Sequence, residues 1–363
     1  MLRPSEFLTR SGRHACPNPR AEAAVVVITG ASSGIGRSTA NLFAQYGWRV
    51  GLIARGRAGL QATFDDVSRH GAIAAMEEAD VADLGALEAA AARVERTLGP
   101  IDAWINCAGN GTYGRFLDTP ADEFQRVTEV TYMGTVNGTR VALRRFVPRD
   151  RGSIVNVCSA VAFHGMPLLS AYSGAKHAVR GFGQSVRAEL AQDGSHVRLT
   201  SVFPPAVNTP FFDHAISHMK QLGRPMSPVY QPEVVAEAIR LALISGRAEM
   251  PVTSTAILFS ISARLMPGLV TRAIRKLGYG GQLTDQATLR ERHAPTLFTA
   301  SETASPAHGA FDALARSGSM HIRILGLLAR WREPGRLTPQ PARQPPHGLP
   351  ETDETPVQEH ALD

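Results

Sequence analysis

From Ala24 onward, short apolar runs alternate with stretches of helical period, and this alternation limits the chain to very few folds. The runs are Ala24–Thr29, Arg49–Ala54, Ala72–Ala79, Ile101–Asn106, Ser153–Cys158 and Val197–Phe203. Between them lie Ala- and Leu-rich stretches at Ile35–Tyr46, Leu84–Leu98, Asp122–Phe146 and Gly174–Ala191, and a further one follows at Pro232–Ser245. A strand that is apolar on both faces must be covered on both. Strands of this kind, each followed by a helix, predict a parallel sheet between two helical layers. Right-handed crossovers then make the expected fold class α/β, a doubly wound Rossmann sheet.

The 363 residues exceed what one compact domain usually needs. The expected organisation is a flexible N-terminal extension over 1–23, the Rossmann domain over 24–252 and a helical C-terminal extension over 253–332. A disordered tail completes it over 333–363, where Pro-rich, polar composition offers no core to bury. After Phe203, the prolines Pro204, Pro205, Pro210, Pro225, Pro228 and Pro232 predict a loop. It follows the carboxyl end of a strand, where ligands of such sheets bind, so a substrate lid is expected over a plain connector.

Thr253–Leu277 is apolar but is broken by Arg264 and Pro267 before it reaches the ~18 residues of a spanning helix. It is expected to pack on the core or on a second subunit. Peripheral membrane contact through 253–277 is the other reading, with Arg272, Arg275 and Lys276 as its basic side. The net charge of +6 would permit an acidic partner, but a basic balance alone often means only a solvated surface, and no nucleic acid is expected. Cys16, Cys107 and Cys158 have no metal-ligand spacing, so no metal is expected and reduced thiols are. The first residues hold no apolar secretory core, which points to a cytoplasmic protein.

The first run ends in Thr29-Gly30-Ala31-Ser32-Ser33-Gly34-Ile35-Gly36, directly before a helical stretch. Glycines there allow a tight turn and let backbone N–H groups approach a pyrophosphate at a helix N-terminus. The second run ends in Arg55, with no Asp or Glu beside it. An acidic residue there would bind a ribose hydroxyl, whereas an arginine accepts the 2′-phosphate of NADP(H). Arg37 could add a second positive charge. Downstream, Ser159 closes the fifth run, and Tyr172 and Lys176 follow in Tyr-Ser-Gly-Ala-Lys. Positions four apart share one helix face, so phenol and ammonium can serve one site. A nearby ammonium stabilises phenolate, which brings a phenol of ordinary pKa near ~10 toward use as acid or base.

Together, the Gly-x3-Gly-x-Gly loop after Thr29, the Tyr-x3-Lys motif and the Ser thirteen positions upstream resemble the compact branch of the short-chain dehydrogenase/reductase family. The resemblance covers about Ala24 to Met250. It implies an NADP(H)-dependent enzyme acting on CH–OH and C=O groups, with Tyr172 as acid/base, Ser159 on the substrate oxygen and Lys176 on the nicotinamide ribose. It implies cofactor contacts at Gly30, Ser32, Ser33, Gly34, Ile35, Gly36, Arg55, Asp80, Val81, Asn106, Ala108 and Gly109. Pro204, Val207 and Thr209, in a variant of the family's Pro-Gly-x-Val-x-Thr, are implied at the nicotinamide. Thr131 stands where most relatives have a catalytic Asn that relays protons through water, and it resembles a bacterial sub-branch in which Thr is usual.

The expected substrate is a small carbonyl or alcohol, apolar in view of Phe163, Met166, Leu168, Phe211 and Phe212. A homo-oligomer is implied by the family's pairing of long helices. A catalytically idle NADP(H)-binding sensor or scaffold is the alternative. An epimerase of the longer branch would need a Gly-x2-Gly-x2-Gly loop, which the chain lacks.

Overall fold

The computed structural model describes residues 23–285 and 287–332. The expected tail, Cys16 and all but the last residue of the expected N-terminal extension lie outside the described residues.

Seven parallel strands form the central sheet: β1 (Val25–Thr29), β2 (Arg49–Ala54), β3 (Ala74–Glu78), β4 (Ile101–Asn106), β5 (Ser153–Val157), β6 (Arg198–Phe203) and β7 (Glu249–Pro251). Their order is β7-β6-β5-β4-β1-β2-β3, so the winding reverses between β1 and β4. Ligands of open α/β sheets bind outside the carboxyl ends of the strands at such a reversal. Thr29 lies opposite Ile53 on one side and Asn106 on the other, so three strand ends are level there.

β1 explains the two-sided apolar pattern. Val26 and Ile28 enter one core, and Val25 and Val27 the other; none of the four is more than 2% exposed. The first core packs under α1 (Gly34–Gln45), α2 (Arg57–Arg69) and, later in the chain, α7 (Pro232–Ser245). The second packs under α3 (Leu84–Leu98), α5 (Gly134–Phe146) and α6 (Ser170–Gln192). Burying each of these side chains contributes roughly 1.5–3 kcal/mol. Such layers make the doubly wound sheet the stable arrangement.

Asp122–Phe146, expected as one helix, is α4 (Ala121–Thr128), a π-helical turn (Glu129–Met133) and α5 in succession. Two elements were not anticipated. α2 buries only Gly59, Leu60, Thr63 and Val67, too thin a stripe to read, and β7 is three residues long with a Glu at its start.

The Pro-rich segment after β6 is not a plain loop. Its Ala206–Val207 and Val229–Tyr230 form a small sheet with Ala315–Arg316, and Leu222–Gly223 pairs with Leu283–Thr284. The C-terminal extension therefore threads back through it. The extension's apolar stretch is two helices, α8 (Ser254–Leu265) and α9 (Pro267–Gly281), broken at Met266-Pro267. No helix among the described residues is long and apolar enough to cross a membrane.

Candidate active site

The carboxyl-edge loops enclose a cleft of about 550 Å³ with Arg55 and Tyr172 both in its wall. Beneath the cleft the buried Thr29 hydroxyl accepts from the Cys107 and Ala108 N–H groups at 3.1 and 3.4 Å. That bond brings the glycine loop against the end of β4. Gly30 has φ 67°, and a Cβ there would lie 2.7 Å from Ala108 Cα. At Gly36 a Cβ would lie 2.1 Å from the Gly30 carbonyl oxygen. Only glycine fits either position. Ser33 starts α1 from extended backbone with no side-chain cap, and no acidic residue occupies the first turn. Helix N–H groups and dipole therefore face the cleft, which suits a pyrophosphate. Gly30, Ser32, Ser33, Gly34, Ile35 and Gly36 all line it.

Arg55, Asp80, Val81, Ala108 and Gly109 line the cleft beyond the glycine loop. Arg126 forms an ion pair with Asp80. Burial works against ionisation of this carboxyl, but the Ala82 N–H and Arg126 hold it below the usual range. Two expected contacts fall elsewhere. The Asn106 side chain is buried under the sheet, where Trp104 Nε1 donates to it at 2.8 Å and it donates to Asn156 and Thr139 at 2.8 and 3.1 Å. It does not line the cleft. Arg37 is held by Asp66 at 2.7 Å and by the Ser305 carbonyl at 2.9 Å, outside the cleft wall.

At the other end, Ser159, Tyr172, Lys176, Pro204, Val207 and Thr209 line the cleft. α6 begins at Ser170, so Tyr172 and Lys176 fall in its first two turns. Lys176 Nζ donates to the Val157 carbonyl at 2.8 Å and lies 5.7 Å from the Tyr172 ring centroid. Burial pushes the Tyr172 phenol up, while a hydrogen bond from Ser159 works in the opposite direction. Burial likewise pulls the Lys176 ammonium down. Burial pushes the Cys107 thiol up to about 12 and Cys158 to about 11, so both are neutral at pH 7 and exert no charge on the phenol.

Thr131 is fully buried on the π-helical turn, a kind of distortion common at functional sites. Its hydroxyl accepts from the Asn110 N–H and contacts the Asn110 carbonyl, both at 3.2 Å. A Cβ on Gly109 would lie 3.7 Å from both Thr131 Oγ1 and Lys176 Nζ, so the two side chains flank one backbone step. Asn137 is spent on the Val81 and Ala82 carbonyls.

Residues 24–220 match the sequence profile of the family described as short chain dehydrogenase. The chain is also 34% identical over 260 residues to the uncharacterized oxidoreductase YxnA of Bacillus subtilis (strain 168), covering 71% of this chain and 73% of that protein. The chain belongs to the short-chain dehydrogenase family. Among solved structures, a short-chain dehydrogenase/reductase from Burkholderia phymatum in complex with NAD is similar with a TM-score of 0.61 at 23% identity, covering 69% of this chain and 95% of that one. A variant of actinorhodin polyketide ketoreductase with NADPH is similar with a TM-score of 0.56 at 26% identity, covering 63% of this chain and 95% of that one.

Of the apolar residues expected around the substrate, Met166, Phe211 and Phe212 line the cleft, and the Phe211 ring lies 5.3 Å from that of Tyr172. Phe163 instead packs on Phe203 at 4.7 Å beneath Arg180, and Leu168 is buried among Tyr113 and Phe212. Tyr113, Leu169, Met226 and Phe259 were not anticipated in the cleft wall. Nor were Thr296, Ala300, Ser301, Thr303 and Ser305, which reach it from the distant C-terminal extension without a motif to mark them.

Proposed function

We propose that this short-chain dehydrogenase is an NADP(H)-dependent oxidoreductase that interconverts a carbonyl and an alcohol, with Tyr172 as acid/base. The observation that carries it is one cleft with the glycine loop and Arg55 at one part of its wall and Ser159, Tyr172 and Lys176 at another. The backbone N–H groups at the start of α1 would hold the pyrophosphate, Arg55 the 2′-phosphate, and Asp80 and Val81 would border the adenine. When bound, the nicotinamide supplies or accepts the hydride.

The chain's own residues handle the proton. Burial keeps the Tyr172 phenol protonated, the form that donates to a carbonyl oxygen as negative charge grows on it. Ser159 donates a hydrogen bond to the same oxygen. Lys176, anchored on Val157, supplies positive charge behind the phenol and stabilises the phenolate left when the proton is donated. With purified protein and NADPH, a panel of apolar ketones and 3-oxoacyl thioesters should give loss of nicotinamide absorbance. Tyr172→Phe should abolish that loss while NADPH still binds. Binding of NADPH with no turnover of any carbonyl would favour the idle sensor reading, for which the engagement of Thr131 by Asn110 is the one supporting observation.

The reading extends to where the substrate comes from. Leu258, Ile261 and Leu265 form an i, i+3, i+7 stripe on α8 and are exposed, as are Met266 and Leu269. Pro251–Thr284 contains no Asp or Glu, and Arg264, Arg272, Arg275 and Lys276 are all exposed. A second copy of the same face would bring like charges together, whereas an anionic lipid surface complements both features. Phe259 and Ala256 of α8 line the cleft, so one helix would join the lipid surface to an apolar pocket. The protein should co-sediment with phosphatidylglycerol vesicles and not with phosphatidylcholine vesicles, and Leu265→Glu should end that binding. A Leu265→Glu change that instead splits a dimer in light scattering would assign the face to a second copy. The oligomeric state expected for α5 and α6 is read in the same measurement.

A further inference from the structure

Residues 293–311 contain no helix or strand, yet they cross the cleft twice. On the outward path, Ala294 N–H donates to Asp213 O at 2.9 Å and Thr296 N–H to His214 O at 3.1 Å. Arg55 then clamps three consecutive carbonyls, those of Thr296, Leu297 and Phe298, at 2.6, 3.1 and 3.3 Å. On the return path, Arg37 holds Ser305 O at 2.9 Å, and Gly34 N–H of the glycine loop donates to Pro306 O at 3.2 Å. Phe311 N–H ends it on Asn208 Oδ1 at 2.9 Å. Two buried side chains peg this strap, Leu297 between Val127 and Ala171 and Phe311 against Phe212.

The strap does not fill the cleft. About 550 Å³ remains, lined by the glycine-loop residues and by Thr296, Ser301, Thr303 and Ser305. A dinucleotide lying from the glycine loop to Arg55 would meet strap residues at both ends, and its phosphate would reach the Gly34 N–H only once the Pro306 carbonyl lets go. Arg55 keeps N–H groups beyond those the three carbonyls use, so it can hold strap and phosphate together. Between the pegs the strap is mostly exposed and is held largely by single hydrogen bonds, the condition for local opening without global unfolding.

We infer that residues 293–311 are the roof of the cofactor site and that the dinucleotide enters and leaves only when this strap lifts. The inference rests on the cofactor reading above. Strap opening then sets the rate of cofactor exchange, as lids do elsewhere.

A staple tests it. A Cβ built on Gly56 lies 3.3 Å from Ala300 Cβ, close to the span a disulfide needs. In the full chain carrying Gly56→Cys and Ala300→Cys, with cross-linking followed by mass, NADPH release is read by stopped-flow fluorescence. Release should slow by roughly tenfold or more on oxidation and recover on reduction. Leu297→Ala, which removes a peg without a cross-link, should speed release by roughly 10- to 100-fold. Equal release from the oxidised and reduced pair, or an unchanged rate in Leu297→Ala, would overturn the roof. Failure of wild-type protein to bind either NADPH or NADH would overturn the cofactor reading itself, and the roof with it.

Discussion

Arg55→Ala separates the two jobs given to one guanidinium. In the folded protein Arg55 donates to three strap carbonyls, and in the proposed complex it also faces the 2′-phosphate. A hydrogen bond to a charged group contributes about 1.5–3 kcal/mol, so loss of a bidentate phosphate contact in a half-open cleft should cost NADPH about 2–3 kcal/mol. At 1.4 kcal/mol per factor of ten, that is a weakening of roughly 30- to 150-fold. Losing the strap clamp weakens both dinucleotides alike, because NADH sits under the same roof. The ratio of the two dissociation constants therefore isolates the phosphate, whatever happens to the strap. No neighbouring charge substitutes, since Arg126 is paired with Asp80 and Arg37 with Asp66. Fluorescence titration of both cofactors against wild type, Arg55→Ala and Arg55→Lys gives the ratio. Arg55→Lys should be intermediate, keeping the charge without the planar fork. Equal weakening of NADPH and NADH in Arg55→Ala would refute the argument and leave Arg55 as a strap anchor only.

Three other outcomes follow from the same geometry. Gly36→Ala sets a methyl against the Gly30 carbonyl oxygen, so cofactor affinity should fall about 10- to 100-fold in the same titration, and unchanged affinity would count against the loop as the phosphate site. Asn106→Ala strips partners from Trp104, Thr139 and Asn156 in the core and should cost about 3 kcal/mol, lowering the midpoint of thermal unfolding by roughly 6–12 °C. Burial, with the charges of Arg292 and His293, pulls His214 down to about 4. A histidine depressed in the folded state binds its proton more readily when released, so stability is lost as pH falls from its ordinary value of 6.5 toward 4. Because His214 contacts Ser305 Oγ at 3.0 Å, amide protection over 293–306, taken relative to the slower intrinsic exchange at lower pH, should fall at pH 5, and His214→Gln should remove that fall.

The parts of the fold that could be read in advance are those where local chemistry and tertiary role coincide. The strands around β1 needed apolar residues on both faces, and Val25–Thr29 shows that demand directly. The glycine loop was legible because backbone packing forbids any side chain at Gly30 and Gly36, a demand written into residue type. Tyr172 and Lys176 were legible because helical spacing alone brings them to one face. Asn106 was not, since an amide at a strand end can turn toward a cofactor or into the core, and only the presence of Trp104, Thr139 and Asn156 decides which.

Arg37 and the strap mark the limit of that kind of reading. Arg37 sits one residue beyond the glycine loop, where a positive charge suggests phosphate, but Asp66 on α2 claims it from a helix whose apolar stripe was too thin to foresee. The strap is more remote still, meeting Arg55 across 241 to 243 residues of chain. Its contacts are made mostly by main-chain carbonyls, which every residue possesses, so no side-chain pattern announces them. The extension thus acts on the cofactor site through the least legible chemistry in the chain, while the site itself uses the most legible. A segment that must lift and close gains from this arrangement. Carbonyl contacts to Arg55 and Arg37 hold it without the large apolar burial that would make opening slow, and only Leu297 and Phe311 fix where it returns.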